Sequence, residues 1–374
     1  MKKLFACFVG LLLLTSLSAQ SRMDKTILFL VPFHLEQAEQ INIDSVRVEQ
    51  DLYEIPSFDL IGFWEGAKMA LDEYDRKFVN LNVIVRDVTN NAYQLQNILQ
   101  EAVTHHKVDL IIGPFYGKMF SIASAFAKEH HIPIVNPFST RSSIVSGNEW
   151  AYKVLPPTSV YPHLTDSLIV RRYPKNNIIL WVASDEMTEE QREYEQYFDS
   201  HNIPYRKVAV SDNVNALHQY LKPHYQNIVI ALFDNEATVT NHMQNYSVAD
   251  YTTPVTMIVP EKWLSINTIE FEYFNRLKIR YFSNYFVDYK EDKTEYFSIN
   301  FINRFAYPPS LSRYSFQGYD ITKYFIQKLF HQENDPDNFY YSLGFQFKKM
   351  PDGGYENQRA RLIMIENYEK VEIK

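Results

Sequence analysis

Four clusters in the sequence combine polar groups with chain turns that would present them to a small ligand. Phe115-Tyr116-Gly117-Lys118 comes directly after an apolar run ending in Gly113-Pro114. The first N–H groups of a helix lack partners within it and attract anions. Tyr116 and Gly117, with Lys118 nearby, can therefore receive a carboxylate if a helix begins there; the competing reading is a packed loop and a solvated lysine. Ser139 and Thr140 supply two hydroxyls and two amides, a set suited to a carboxylate or a hydroxyl-bearing ligand. The same groups also cap helices, and both roles can hold at once. Thr158 and Ser159, just after Pro156-Pro157, pose the same choice between ligand and cap. Glu261 follows Pro260 at the end of an apolar run. An unpaired carboxylate is costly to bury, so a cleft-facing Glu261 calls for a cationic partner, whereas a surface Glu261 would cap a helix.

Other chemistries lack their residues. His105-His106 and His130-His131 resemble metal pairs, but adjacent side chains on a helix diverge, and histidines at helix ends suit the helix dipole. There is no G-x-S-x-G, H-E-x-x-H or P-loop motif, and the carboxylates are scattered. No catalytic residue, metal ligand or cofactor is assigned, and the chain reads as a non-enzyme. The formal net charge is −8, which argues against nucleic acid as a partner because such binding needs a basic surface.

The N-terminal residues set the compartment. Lys2 and Lys3 precede an apolar run over residues 4–14, and Thr15-Ser16-Leu17-Ser18-Ala19 supplies small residues for cleavage. This is the three-part pattern of a secretory signal peptide, and the run is shorter than the roughly 20 residues of a spanning helix. Residues 1–19 are expected to be a signal peptide cleaved after Ala19, leaving a periplasmic or otherwise exported chain with no transmembrane segment. Cys7, the single cysteine, falls inside the run and reads as filler. Disulfides, thiolate metal sites and cysteine nucleophiles are then excluded from the mature chain.

The elements that must position these clusters follow from patterning. Apolar β-branched runs alternate with amphipathic stretches, the signature of βαβ units and parallel sheet. Strands are expected at 26–31, 82–85, 108–112 and 132–135. Helices are expected at 58–74, capped by Ser57, and at 92–105 and 118–130. A stretch at 147–157 reads as a crossover to a second series with the same grammar: a helix over 158–172, a charged helix over 187–201, and strands at 177–183, 205–210, 228–233 and 255–259. Helices at 295–305 and 316–330 follow. Closing strands at 338–348 and 361–373 are expected to be joined by the Asp352-Gly353-Gly354 turn. The 27 Tyr and 26 Phe are mostly core, but so many aromatic rings also suit the walls of a cleft.

Several of these segments, taken in order, resemble the type I periplasmic binding proteins, and most closely the branched-chain amino-acid binding group. Phe63-Trp64-Glu65-Gly66-Ala67-Lys68-Met69-Ala70-Leu71-Asp72-Glu73 resembles the family's first helix, with its glycine and small residues facing the sheet. Val83-Ile84-Val85-Arg86-Asp87 and Val108-Asp109-Leu110-Ile111-Ile112-Gly113-Pro114 resemble its second and third strands. Ile132-Pro133-Ile134-Val135-Asn136-Pro137-Phe138-Ser139-Thr140 resembles the strand and loop that close its first half, and Phe316-Gln317-Gly318-Tyr319-Asp320 a late helix start.

The resemblance implies an α/β fold of two Rossmann-like lobes with parallel sheets, joined by three crossovers, with ligand between them. Residues 24–155 with 283–335 would form the first lobe, and 156–282 with 336–374 the second. It further implies that Ser139 and Thr140 lie in a ligand loop, that Thr158 and Ser159 touch ligand from the far side, and that Glu261 holds a ligand ammonium. The chain departs from the family at Gly117, where amino-acid binders usually offer a small hydroxyl residue. Two functions follow. One is a receptor for a small polar, amino-acid-like solute, feeding an ABC transporter or a sensor, with a membrane permease as partner. The other is a binding-protein fold that has lost its solute and acts as an interaction or regulatory module at the cell envelope, as regulators of cell-wall synthases with this fold do. The first is the leading reading; the altered loop, the scarcity of glycine and the wealth of aromatic residues speak for the second.

Overall fold

The structure is a computed structural model. It describes residues 23–374 except 39–41, 43, 45, 49–50, 52–54, 76–78, 184–186, 211–215, 247–252, 313 and 337. The expected signal peptide and Cys7 lie outside the described residues. Two mixed, mostly parallel sheets of seven strands each are present, and the chain divides into two compact units, residues 1–134 with 309–333 and residues 135–308 with 334–374.

In the first unit, β1 (Met23–Val31) pairs in parallel with β2 (Val79–Asp87) and β3 (Leu110–Ile112). The continuous apolar run of β1 is buried on both faces, as parallel strands are; Ile27 to Val31 are at most 1% exposed. Helix α1 (Pro56–Asp75) begins at the proline, which needs no intrahelical donor at that position, so Ser57 lies in the first turn rather than at the cap. Helix α2 (Ala92–His105) is capped by Asn91, whose side chain accepts from the Gln94 amide. Helix α3 (Gly117–Glu129) starts directly after Tyr116.

The glycine of α1 does not face the sheet as the resemblance implied. A Cβ on Gly66 would stand 1.8 Å from the backbone oxygen of Ser315, and one on Gly318 would stand 1.9 Å from that of Phe63. Gly66 and Gly318 instead let α1 and α9 (Ser315–Leu329) lie backbone against backbone.

The second unit holds the second sheet, in the order β14 (Glu369–Ile373), β13 (Arg361–Glu366), β10, β9, β8, β6, β7. Its parallel part comprises β6 (Asn176–Val182), β7 (Tyr205–Ala209), β8 (Gln226–Leu232), β9 (Val255–Ile258) and β10 (Arg280–Ser283). Side chains alternate between faces along a strand, and the core splits accordingly. Ile178, Leu180, Ile228 and Ile230 pack with Tyr194 and Phe198, while Ile179, Trp181, Val229 and Ala231 pack with Met243, Trp263 and Phe274. The helices of this unit are α4 (Tyr161–Leu168), α5 (Glu189–Ser200), α6 (Glu236–Tyr246), α7 (Phe271–Arg276) and α8 (Asp292–Phe305). The single helix expected over 158–172 is therefore broken, with one-turn 3-10 segments on either side of α4.

Two further sequence expectations are corrected. Beyond β4 (Ile134–Asn136), the expected crossover contains a strand, β5 (Ala151–Lys153). The Asp352-Gly353-Gly354 turn joins β11 (Phe347–Lys349) to β12 (Tyr355–Asn357), and β12 runs parallel to β5. Residues 361–373 instead form their own hairpin, β13 (Arg361–Glu366) and β14 (Glu369–Ile373), added antiparallel to β10. Asn367 and Tyr368 make its turn at φ of 54° and 64°, the left-handed pair that a two-residue hairpin requires.

Candidate functional site

The carboxyl ends of β8, β9 and β10 open into a cavity of about 220 Å³ lined by Tyr161, Glu190, Pro260, Glu261, Lys262 and Phe282, among others. Glu190 and Glu261 follow β6 and β9, Tyr161 opens the helix that precedes β6, and Phe282 lies in β10. Tyr161 is the first residue of α4, and its ring stacks on Phe282 of β10 at 4.6 Å between centroids and 14° between planes. Glu190 lies in the first turn of α5, where Thr188 caps the helix by accepting from the Gln191 amide. Glu261 opens a 3-10 turn just after β9, with Pro260 at its cap.

The site is acidic. Burial pushes the Glu190 carboxyl up to about 7, and the nearby charges of Glu193 and Asp234 push the same way. Glu193, also raised by burial, accepts a 2.8 Å hydrogen bond from the Thr158 hydroxyl, which offsets part of that rise. Glu261 is exposed along much of its side chain, yet the protein around its carboxylate displaces enough water to raise it, and the 2.8 Å bond donated by the Ser283 hydroxyl opposes the shift. The Tyr161 hydroxyl is held well above its usual range, first by burial and then by Glu190, Glu261 and Glu193. Lys262 is committed to Asp234 at 2.7 Å. Three carboxylates thus surround one aromatic pair with no cation among the described residues matched to Glu190. A carboxylate in poorly hydrated surroundings gains most from a cation that brings its own N–H donors.

Glu261 also lines a second, larger and open cavity of about 790 Å³, walled by Tyr285, Phe286, Phe339 and Tyr340 and by the hairpin residues Lys370 and Glu372. Lys370 acts on Glu261 from that side and partly counters its rise.

Of the residues singled out from sequence, Thr158 and Glu261 belong to this acidic group, and Ser159 is exposed in the same 3-10 turn as Thr158. Ser139 and Thr140 line neither cavity. The Ser139 amide, expected to face a carboxylate, is taken by Asn136 Oδ1 at 2.7 Å, and the Ser139 hydroxyl oxygen accepts from the Arg141 amide. The Thr140 carbonyl accepts from Lys153 Nζ at 3.1 Å. Lys153 is fully buried and lies 3.2 Å from the Glu356 carboxylate. Burial lowers it to about 8 despite that pairing. Tyr116 and Gly117 belong to the first unit. Tyr116 is 46% exposed, and a Cβ on Gly117 would meet nothing within 4 Å, so the backbone there is open to approach. Glu190 was missed in the sequence, where it reads as one charge among many on a solvated helix. The Thr188 cap just beyond a buried strand was the available signal.

No protein-family model matches the chain, and no curated protein matches it either. Solved structures do. A Rhodospirillum rubrum protein assigned to branched-chain amino-acid ABC transport is similar over 94% of this chain and all of its own, at a TM-score of 0.63 and 10% identity. An ABC transporter substrate-binding protein of Desulfitobacterium hafniense, solved in complex with Leu, is similar over 94% of this chain and all of its own, at 0.51 and 12%. LpoA of Haemophilus influenzae is similar over 97% of this chain, at 0.54 and 8%, although the chain spans only 61% of LpoA. The chain has the fold of the type I periplasmic binding proteins.

Proposed function

We propose that the protein is an exported solute-binding protein that holds a small polar, ammonium-bearing solute of the amino-acid kind, for delivery to an ABC permease or a sensor. The observation that carries this reading is the placement of Glu190 and Glu261 around Tyr161 in one cavity. In open parallel sheets, ligands sit beyond the carboxyl ends of the strands, and this cavity lies there. The solute's ammonium pairs with Glu190 and Glu261 while its apolar part lies against the Tyr161–Phe282 stack. Thr158 and Ser159, beside Glu193 in the same unit, are the contacts proposed for its carboxylate or hydroxyl groups; Tyr116, Gly117, Ser139 and Thr140 stay proposed as ligand contacts apart from this cavity. Binding is non-covalent, with no catalytic step. The leucine carried by the Desulfitobacterium hafniense protein supports a solute of this class.

Native mass spectrometry of the purified protein, followed by calorimetry against an amino-acid panel, tests the reading. A co-purified or titrated amino acid that wild type binds and Glu190→Gln binds at least tenfold more weakly is the expected result. A panel in which nothing binds overturns it. Export is tested separately: mass analysis of the mature protein should give Gln20 as the first residue, and full-length chain retained in the cytoplasm would contradict it. No described helix is long and apolar enough to cross a membrane.

One observation favours the second reading, an interaction module at the envelope. Tyr296, Ile299 and Ile302 on α8 are 69%, 50% and 42% exposed. Their spacing of three residues puts them near one another on the helix surface, and an exposed apolar patch marks a contact surface. A silent solute panel together with an empty protein in native mass spectrometry favours this reading.

A further inference from the structure

The acidic cavity of the second unit holds more negative charge than an ordinary amino acid can balance. Glu190 and Glu261 line it. Glu193 lies three residues beyond Glu190 on α5, and residues three apart share a helix face. All three carboxylates act on the Tyr161 hydroxyl, which therefore lies among them. Among the described residues the lining contains one cation, Lys262, and it is bound to Asp234 at 2.7 Å. Lys370 acts on Glu261 from the larger cavity and does not line this one. We propose that the solute carries two cationic nitrogens, as a basic amino acid or a diamine does, an inference that rests on this cavity being the solute site.

A monoamino acid is a zwitterion with no net charge. Its ammonium can bridge Glu190 and Glu261, but it neutralises only one of them, and its own carboxylate restores the deficit. At least one carboxylate is then left in poorly hydrated surroundings without a counter-ion, which is costly. Glu190 is the group most exposed to that cost. It makes no hydrogen bond or ion pair with a described residue. Burial, with Glu193 and Asp234 acting in the same direction, holds its carboxyl up to about 7.

A second cationic nitrogen supplies the missing charge together with its own N–H donors. The Tyr161–Phe282 stack works in the same sense, because the face of an aromatic ring attracts a cation. A basic amino acid brings one net positive charge and keeps Thr158 and Ser159 as partners for its carboxylate. A diamine brings two and dispenses with those partners.

Calorimetry on the mature chain at pH 8, where Glu190 is mostly charged, separates these cases with three probes. Lysine is compared with norleucine, the same molecule without the terminal nitrogen, and with 1,5-diaminopentane, which lacks the carboxylate. Lysine or the diamine should bind about tenfold or more tightly than norleucine, and that preference should shrink about tenfold in Glu190→Gln, in Glu261→Gln or in both, as loss of one partner of a buried charged pair requires. Both substitutions remove charge with little change of shape, and thermal melts confirm that the variants are folded. Lysine tighter than the diamine identifies a basic amino acid; the diamine equal to lysine or tighter identifies an amine that needs no carboxylate. Norleucine binding as tightly as both cationic probes, or a preference that neither variant reduces, overturns the inference and leaves the amino-acid reading standing. Absence of binding by all three probes and by the wider amino-acid panel overturns both.

Discussion

The stacked rings of Tyr161 and Phe282, 4.6 Å apart, bring the first residue of α4 onto the end of β10, and the Tyr161 hydroxyl lies within the field of Glu190, Glu261 and Glu193. A helix start, a strand end and two turns therefore share one polar cluster. Glu261→Gln keeps the acceptor for Ser283 and removes only the charge. An amino-acid solute should then bind at least tenfold more weakly, while the folded protein melts as before. Equal affinity by calorimetry would make Glu261 a bystander.

Glu190 gives the fold a pH dependence of defined sign. Its carboxyl is raised from 4.5 to about 7 in the folded state, so the folded chain holds that proton more tightly than the unfolded chain. The associated stability is complete below about pH 4.5, declines as pH rises, and is gone above about 7. Glu190→Gln should therefore be more stable than wild type at pH 8, by on the order of 2 kcal/mol, with the difference vanishing near pH 4.5. Urea denaturation of both proteins at the two pH values measures this.

The Lys153–Glu356 pair gives a second test of buried charge. Lys153→Met should lower stability by about 3 kcal/mol, because it leaves Glu356 buried and unpaired. The double variant with Glu356→Leu should recover most of that loss, since two charges leave the interior together. Additive losses in denaturation would show that the pair is not coupled.

Gly66→Ala should destabilise the first unit by about 3 kcal/mol or more, because its methyl group meets a backbone oxygen rather than a side chain that can turn aside. Gly117→Ala serves as the control. Its methyl group meets nothing, and alanine is the better helix former, so this variant should be neutral or slightly stabilising. Equal behaviour of the two in thermal melts would contradict the packing described for α1 and α9.

Much of the fold could be read from patterning because the runs around 27–31, 178–182 and 228–232 are apolar throughout, as only strands buried on both faces are. What stayed hidden was set by distant partners. β5 is three residues long and contains a lysine, and nothing local reveals that Glu356, far along the chain, makes that lysine tolerable inside. The 361–373 hairpin turns on Asn367-Tyr368, a pair without the glycine that usually announces such a turn. The position of Glu261 just beyond an apolar strand was legible in the sequence. Glu190 was not, because a helix of mostly charged residues gives no sign of which carboxylate faces inward. Nothing local in the sequence shows that Asn136, three residues earlier, reaches forward to take the Ser139 amide.

The pairing of β10 with β13 has a consequence for how the chain comes into being. β6 to β9 can assemble among themselves while synthesis is still under way. The outer flank of β10, however, has no neighbour until residues 361–373 have left the ribosome. Until then the second unit presents a bare strand edge, and the walls of the larger cavity that come from that hairpin do not yet exist. The sheet is thus closed last along this flank, by residues made after all the rest of its strands.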